Sequence, residues 1–245
     1  MQRLVIIPTY NEKENIEAII TAVMNLPLEF NVLVIDDGSP DGTAKIVKQL
    51  MKDTYAERLF IVERQGKLGL GTAYIAGFKW AIAHDYDLIF EMDADFSHNP
   101  NDLLKLTEAL EKHNADVAIG SRYLTGVNVV NWPMGRVLMS YFASKYVRTI
   151  LGVKICDTTA GFVGYRRQVL ETLELDKIRF KGYAFQIEMK YTAYKCGFTI
   201  KEVPIVFVNR VLGTSKMSGG IFSEALLGVI RLKVSGWFRK FPKKA

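Results

Sequence analysis

Five short apolar runs, each followed by a polar turn, punctuate the first half of the chain. They are Leu4-Val5-Ile6-Ile7, Val32-Leu33-Val34-Ile35, residues 59–62, residues 88–92 and residues 117–119. Between them apolar residues recur at helical spacing, as in Ile16, Ile19, Ile20 and Val23, then Val47, Leu50 and Met51, then Ala73, Phe78 and Ala81. A further helix is expected from about Asn101. Short buried strands separated by helices of about 10–15 residues describe βαβ units and a largely parallel sheet. In such sheets ligands bind beyond the carboxyl ends of the strands. The polar turns after the first, second and fourth runs are therefore where chemistry is expected.

The second half is less regular. Residues 126–133 read as a loop, about 136–151 as a helix, 157–161 as a turn, 182–197 as a bracketed helix and 200–208 as a β-rich run. Beyond a Gly-containing linker at 213–220, Ile221, Phe222, Ala225, Leu226, Val229 and Ile230 form one helical stripe. The chain has 245 residues, 49% of them apolar, which suits one substantial α/β domain without internal repeats. No window of about 18 apolar residues predicts a membrane-spanning helix. The N-terminus runs straight into a strand and lacks the pattern of an export signal. Cys156 and Cys196 accordingly read as reduced thiols.

The net charge of +6 sits at the C-terminal end. From residue 201 onward there are nine Lys or Arg against two acids, whereas the first 200 residues are nearly balanced. Such a tail points to an anionic partner, a membrane surface, a phosphorylated substrate or nucleic acid, although a solvated basic face would carry the same charge. No helix-turn-helix, zinc or RNA-binding signature supports nucleic acid.

Asp93-Ala94-Asp95 ends the fourth run. Two carboxylates at i and i+2 where a strand leaves the sheet can converge on one hard cation such as Mg²⁺ or Mn²⁺, which bridges to substrate phosphates. A turn acid followed by a helix cap is the competing reading. Asp36-Asp37 ends the second run, and Pro8-Thr9-Tyr10-Asn11-Glu12 ends the first. Carboxylates there suit ribose hydroxyls, or else simple turn chemistry beside Gly38 and Pro40. The glycine-rich stretch at 66–71 matches neither a dinucleotide loop nor a P-loop, because the third glycine and the Gly-Lys-Ser/Thr are missing.

Those elements occur in a fixed order with Lys67-Leu68-Gly69-Leu70-Gly71, Ser97-His98, Gly120-Ser121-Arg122-Tyr123, Asn131-Trp132, Thr159-Ala160-Gly161-Phe162, Lys181-Gly182-Tyr183, Phe185-Gln186-Ile187-Glu188, Glu202-Val203-Pro204, and Arg210 to Ser215-Lys216. Together they resemble the family-2 glycosyltransferases of GT-A fold. Within these they are similar to the soluble catalytic form of the dolichol- or polyprenol-phosphate mannosyltransferases. The resemblance covers residues 4–220, so a GT-A domain is expected over 1–220 and an amphipathic basic segment over 221–245.

The resemblance implies roles. Pro8, Tyr10, Glu12, Ile35 and Asp37 line the guanosine and ribose pocket. Asp93, Ala94 and Asp95 hold metal and sugar nucleotide, with Ser97 at a position that ligates metal where relatives have Gln. Arg210 and Lys216 reach the diphosphate. Arg122, Arg136 and Ser140 cradle the acceptor phosphate, Arg122 counting with Asp93 and Asp95 as catalytic. Gln186 and Glu188 stand where many such enzymes keep a base, a buried structural carboxylate being the other reading for Glu188. Of three histidines only His98 lies near the site. The implied reaction is inverting, metal-dependent transfer of mannose from GDP-mannose to polyprenyl phosphate. The acceptor phosphate is already a nucleophile and needs positioning more than deprotonation. A UDP-glucose donor or a catalytically silent subunit are the rivals. The lipid acceptor implies a cytoplasmic protein, peripheral on the cytoplasmic face of a membrane, and some relatives add a small membrane-anchoring subunit.

Overall fold

The computed structural model describes residues 1–182, 184–209 and 220–244, with backbone only over 220–226. In chain order the elements are β1 (Arg3–Thr9), α1 (Ile16–Met24), β2 (Asn31–Asp36), α2 (Thr43–Asp53), β3 (Leu59–Glu63), α3 (Leu70–Ala83), β4 (Leu88–Glu91), α4 (Asp102–Glu111) and β5 (Val117–Ser121). They continue with β6 (Val129–Val130), α5 (Met134–Leu151), β7 (Val163–Arg166), α6 (Arg167–Thr172), α7 (Ala184–Lys195), β8 (Ile200–Pro204), β9 (Phe207–Val208) and α8 (Gly220–Phe238).

Among the described residues seven strands form one sheet in the order β3-β2-β1-β4-β7-β5-β8. Every pairing is parallel except the two made by β7. The largely parallel sheet read from the apolar runs is therefore present, with one reversed strand. Alternation divides the strands between two cores. Leu4 and Ile6 face one core with Tyr74 and Phe78 of α3, Val147 of α5, Phe185 of α7 and Leu232 of α8. Val5 and Ile7 face the other with α1, α2 and α4.

The reversed strand was not foreseen. Its sequence, Val-Gly-Tyr-Arg, is short and glycine-broken, yet it fills the slot between β4 and β5. Gly164 explains the fit, since a Cβ there would lie 2.7 Å from the Phe90 ring. A second small sheet pairs β6 with β9 inside segments read as a loop and a β-rich run. Helix α5 starts at Met134, two residues before expectation. Both cysteines are free thiols, Cys196 buried and Cys156 partly so.

Helix α8 packs on α5 and α7. Of the expected stripe at 221–230, the two residues with described side chains divide: Val229 is buried in the core while Ile230 is exposed. No helix among the described residues is long and apolar enough to cross a membrane.

Candidate active site

The topology brings the chemistry to one edge. Strands β1, β2, β4, β5 and β8 run parallel, so their carboxyl ends share a side of the sheet, and β7, running the other way, starts there. Pro8 is the penultimate residue of β1, and Tyr10, Glu12, Asp37, Asp93, Asp95, Ser97 and Arg122 follow these ends.

The first two loops are locked together. Asn11, with φ of 56°, donates its N–H to Ser39 Oγ (3.0 Å), Glu12 N–H to Thr43 Oγ1 (3.1 Å) and Lys13 N–H to Asp41 (3.0 Å). The two carboxylates of the second strand end divide their work. Asp36 accepts from Thr9 Oγ1 (2.8 Å), Ser39 N–H (2.9 Å) and Ser39 Oγ (2.6 Å), which is turn chemistry. Asp37 is held by Arg64 at 2.5–2.7 Å, and Arg64 also bonds Thr72 at the start of α3. Lys67 lies 5.4 Å over the Tyr10 ring, which brings the glycine-rich loop to the end of β1. The side chain of Ile35 lies wholly within the core.

The loop after β4 is pinned from both ends. Ser97 N–H donates to Asp95 Oδ1 (3.1 Å), and the Ser97 carbonyl accepts from Val208 N–H (3.2 Å). The chain therefore enters the 210–219 segment from beside the Asp93–Asp95 loop. Arg210 and Lys216 themselves lie outside the described residues. Ser97 is buried, as are Ala94 and Asp95, while Asp93 is partly exposed.

Among the described residues no three of His, Cys, Asp and Glu gather into a set that would hold a metal alone. The donor chemistry of Asp93 and Asp95 fits a divalent cation that completes its shell with substrate phosphate and water. Such a shared shell does not need a third protein carboxylate.

His98 stacks on Phe162 (4.9 Å, 11°) and meets Phe207 edge-on, and its Nδ1 faces Asp93 N–H at 3.5 Å. Burial pushes its pKa down to about 4 against the upward pull of Asp95. The imidazole is thus neutral in the fold and serves packing. Unfolded, it titrates near 6.5, so the stability it carries is complete above that pH and is lost as pH falls toward 4, by roughly 3 kcal/mol. Thermal melts between pH 7 and 4.5 should show a steeper acid loss for wild type than for His98→Gln. Equal slopes would contradict a neutral buried His98.

Arg122 is held at this edge by several hydrogen bonds. Its backbone N–H, Nε and Nη2 bond the Asp157 carboxylate at 3.0, 2.7 and 2.7 Å, and Nη2 also reaches Thr159 Oγ1 (2.9 Å). Burial alone would raise the Asp157 pKa; the Arg122 charge and hydrogen bonds outweigh it and hold the carboxyl below its usual value. Asp157 and Cys156 donate their N–H groups to Glu202 on β8 (2.9 and 2.6 Å). The guanidiniums of Arg122 and Arg136 lie 5.6 and 4.0 Å from the ring centre of Trp132, and Arg136 donates to Asn209 Oδ1 (3.1 Å). Two of the three residues expected at the acceptor phosphate thus share one indole, and Ser140 follows Arg136 one turn later on α5.

Sequence reasoning passed over Asp157, and it quoted Glu202 without a role. The signal for Asp157 was its place directly before Thr158-Thr159-Ala160-Gly161. Of the buried cluster behind the site the sequence singled out Gln186 but neither Glu91 nor Lys190. Gln186 Nε2 bonds Glu91 (2.5 Å), and Lys190 Nζ bonds the Ala160 carbonyl (2.6 Å) and Gln186. Glu188 is buried and accepts the N–H groups of Arg179 and Phe180, so its visible role is structural.

The whole chain has well-matched relatives. It is 46% identical over 234 residues to polyprenol monophosphomannose synthase of Mycolicibacterium smegmatis, covering 95% of this chain and 87% of that protein. It is 45% identical to undecaprenyl-phosphate mannosyltransferase of Micrococcus luteus, covering 94% and 93%. Glucosyl-3-phosphoglycerate synthase of Mycobacterium tuberculosis, crystallised with Mn²⁺ and UDP, superposes with a TM-score of 0.66 at 18% identity, over 96% of this chain and 80% of that one. A mannosyltransferase of Pyrobaculum calidifontis, crystallised with GDP-mannose and Mn²⁺, gives 0.64 at 18%, over 98% and 66%. The fold is GT-A. Residues 4–174 match the model of glycosyl transferase family 2, and the chain belongs to that family.

Proposed function

We propose that the chain transfers mannose from GDP-mannose to the phosphate of a polyprenyl phosphate, with inversion, and works peripherally on the cytoplasmic face of a membrane. The observation that carries this reading is that an acidic loop suited to a nucleotide diphosphate and its cation shares the carboxyl ends of the sheet with Arg122, which packs on Trp132 together with Arg136 of α5 and on Phe207 together with His98 of the acidic loop. The high identity to two polyprenyl-phosphate mannosyltransferases across nearly the whole chain supports the same donor and acceptor.

Asp93 and Asp95 would hold Mg²⁺ or Mn²⁺, which when bound screens the charge left on the departing diphosphate. The nucleotide pocket would be formed by Pro8, Tyr10, Glu12 and Asp37 on loops that are already tied together, and Arg210 and Lys216 would contribute their charge to the diphosphate. Arg122, Arg136 and Ser140 hold the acceptor phosphate for in-line attack, and arginine forks match phosphate oxygens in shape and charge. A phosphate monoester is ionised near neutral pH, so positioning is what the protein supplies. That requirement agrees with a site whose one nearby histidine is stacked and neutral. Residues 1–220 would form the catalytic domain and 221–245 a surface-binding segment.

Calorimetric titration tests the donor. GDP should bind at least about tenfold more tightly than UDP in the presence of Mn²⁺, and EDTA should weaken GDP binding by about tenfold or more. Tighter binding of UDP would replace the donor, and equal affinity with and without EDTA would remove the metal from it.

A further inference from the structure

Lys190, on α7, is only 1% exposed. Burying an ammonium is costly unless it is paired and hydrogen-bonded. Here its three N–H bonds find three acceptors: the Ala160 carbonyl at 2.6 Å, the Gln186 carbonyl one turn earlier at 3.2 Å and Gln186 Oε1 at 3.3 Å. From the other end of the same side-chain amide, Gln186 Nε2 donates to Glu91 Oε2 at 2.5 Å. Glu91 and Gln186 are buried as well. Glu91, Gln186, Lys190 and the Ala160 carbonyl therefore form one continuous hydrogen-bonded chain through the interior.

The two ends of this chain serve different substrates of the proposed reaction. Glu91 is the last residue of β4, held in register between Ile6 of β1 and Val163 of β7, and Met92 alone separates it from Asp93. Ala160 belongs to the turn at 157–161, whose Asp157 and Thr159 hold Arg122. The sheet fixes Val163, beyond that turn, against Glu91, whereas the Lys190 bond fixes the turn itself. An apolar residue in place of a buried charge is often neutral or stabilising. What the ammonium adds is the connection it makes.

We infer that Lys190 is a positioning residue for sugar transfer: through Gln186 and Glu91 on one side and the Ala160 carbonyl on the other, it sets the Asp93–Asp95 loop and the Arg122 turn at the separation that brings the acceptor phosphate to the donor sugar. This rests on the proposed reaction and adds the interior device that aligns its two substrates. Each substrate meets its own loop, so each binds without the bridge. The bridge supplies their mutual alignment, and a misplacement of about 1 Å between reacting groups costs about 10² in rate.

Lys190→Met keeps most of the side chain's length and removes the ammonium. Its kcat for mannose transfer to polyprenyl phosphate should fall about 10²-fold, with KM for both substrates and affinity for GDP with Mn²⁺ within about threefold of wild type. This variant also strands the Glu91 carboxylate, so it should melt earlier. Combining Glu91→Gln with Lys190→Met removes the stranded charge. The melting temperature should then return most of the way to wild type while kcat stays about 10²-fold down. A kcat that recovers together with the melting temperature, or a folded Lys190→Met with wild-type kcat, would limit Lys190 to the fold and overturn the inference. Amide hydrogen exchange reads the same bridge without sugar transfer. In the double variant, exchange should quicken about tenfold or more both at 92–98 and at 157–161. Quickening confined to α7 would also overturn the inference. Failure of wild type itself to transfer mannose would strike the proposed function, and the exchange result would still decide whether Lys190 joins the two loops.

Discussion

Replacing Asp95 with alanine lowers transfer of mannose to polyprenyl phosphate about 10³-fold. The size follows from what the carboxylate does. Charge develops on the leaving diphosphate, and removing one preorganised group that stabilises such charge costs about 10²–10³ in rate, with a metal-linked group at the upper end. Asp95 also accepts the Ser97 N–H, so alanine loosens the loop as well. Asp95→Asn separates the two effects, because the amide oxygen keeps that hydrogen bond while the charge is gone. It should lose nearly as much activity as alanine and need more Mn²⁺ to reach its own maximum. An asparagine variant within about tenfold of wild type would mean that the carboxylate shapes the loop rather than holding the cation.

The largest effect on stability is expected at Asp157. It is fully buried, and Arg122, itself about nine-tenths buried, is its ion-pair partner. Removing one member of a buried pair leaves the other desolvated and uncompensated, at a cost of about 3–5 kcal/mol. For a chain of this size that lowers the melting temperature of Asp157→Ala by roughly 10 °C. The sign with pH is fixed by the depressed carboxyl. Stability from Asp157 is present above the unfolded value near 3.9 and is lost as pH falls through the folded one, so the gap between wild type and variant is complete at pH 7 and narrows only in acid. Asp157→Asn, closer in shape, should raise KM for the polyprenyl phosphate more than KM for the nucleotide sugar. A variant that lowers the melting temperature and leaves both KM values unchanged would limit Asp157 to a structural role.

The legible part of the fold was the part with a local signature. Strands of a parallel sheet are buried on both faces and read as continuous apolar runs, as Leu4–Ile7 and Val32–Ile35 do. The acidic and polar residues at their ends stood out against those runs. Strand β7 had no such signature, because its fit depends on Phe90 occupying the space above Gly164. The Asp157–Arg122 pair and its support from Glu202 join residues 35 and 45 positions apart, and no periodicity relates them. Helix α8 was read as one stripe because it is apolar around most of its circumference. Which side meets the core is decided by α5 and α7, elements far away in the sequence.

The central claim is the reaction itself. Purified protein incubated with radiolabelled GDP-mannose, polyprenyl phosphate and Mg²⁺ or Mn²⁺, followed by lipid extraction, tests it most directly. Label in the lipid phase that disappears with EDTA and with Asp95→Ala is the predicted result. Label that stays in the aqueous phase with GDP-mannose while UDP-glucose labels the lipid, or no transfer from any donor, would contradict it.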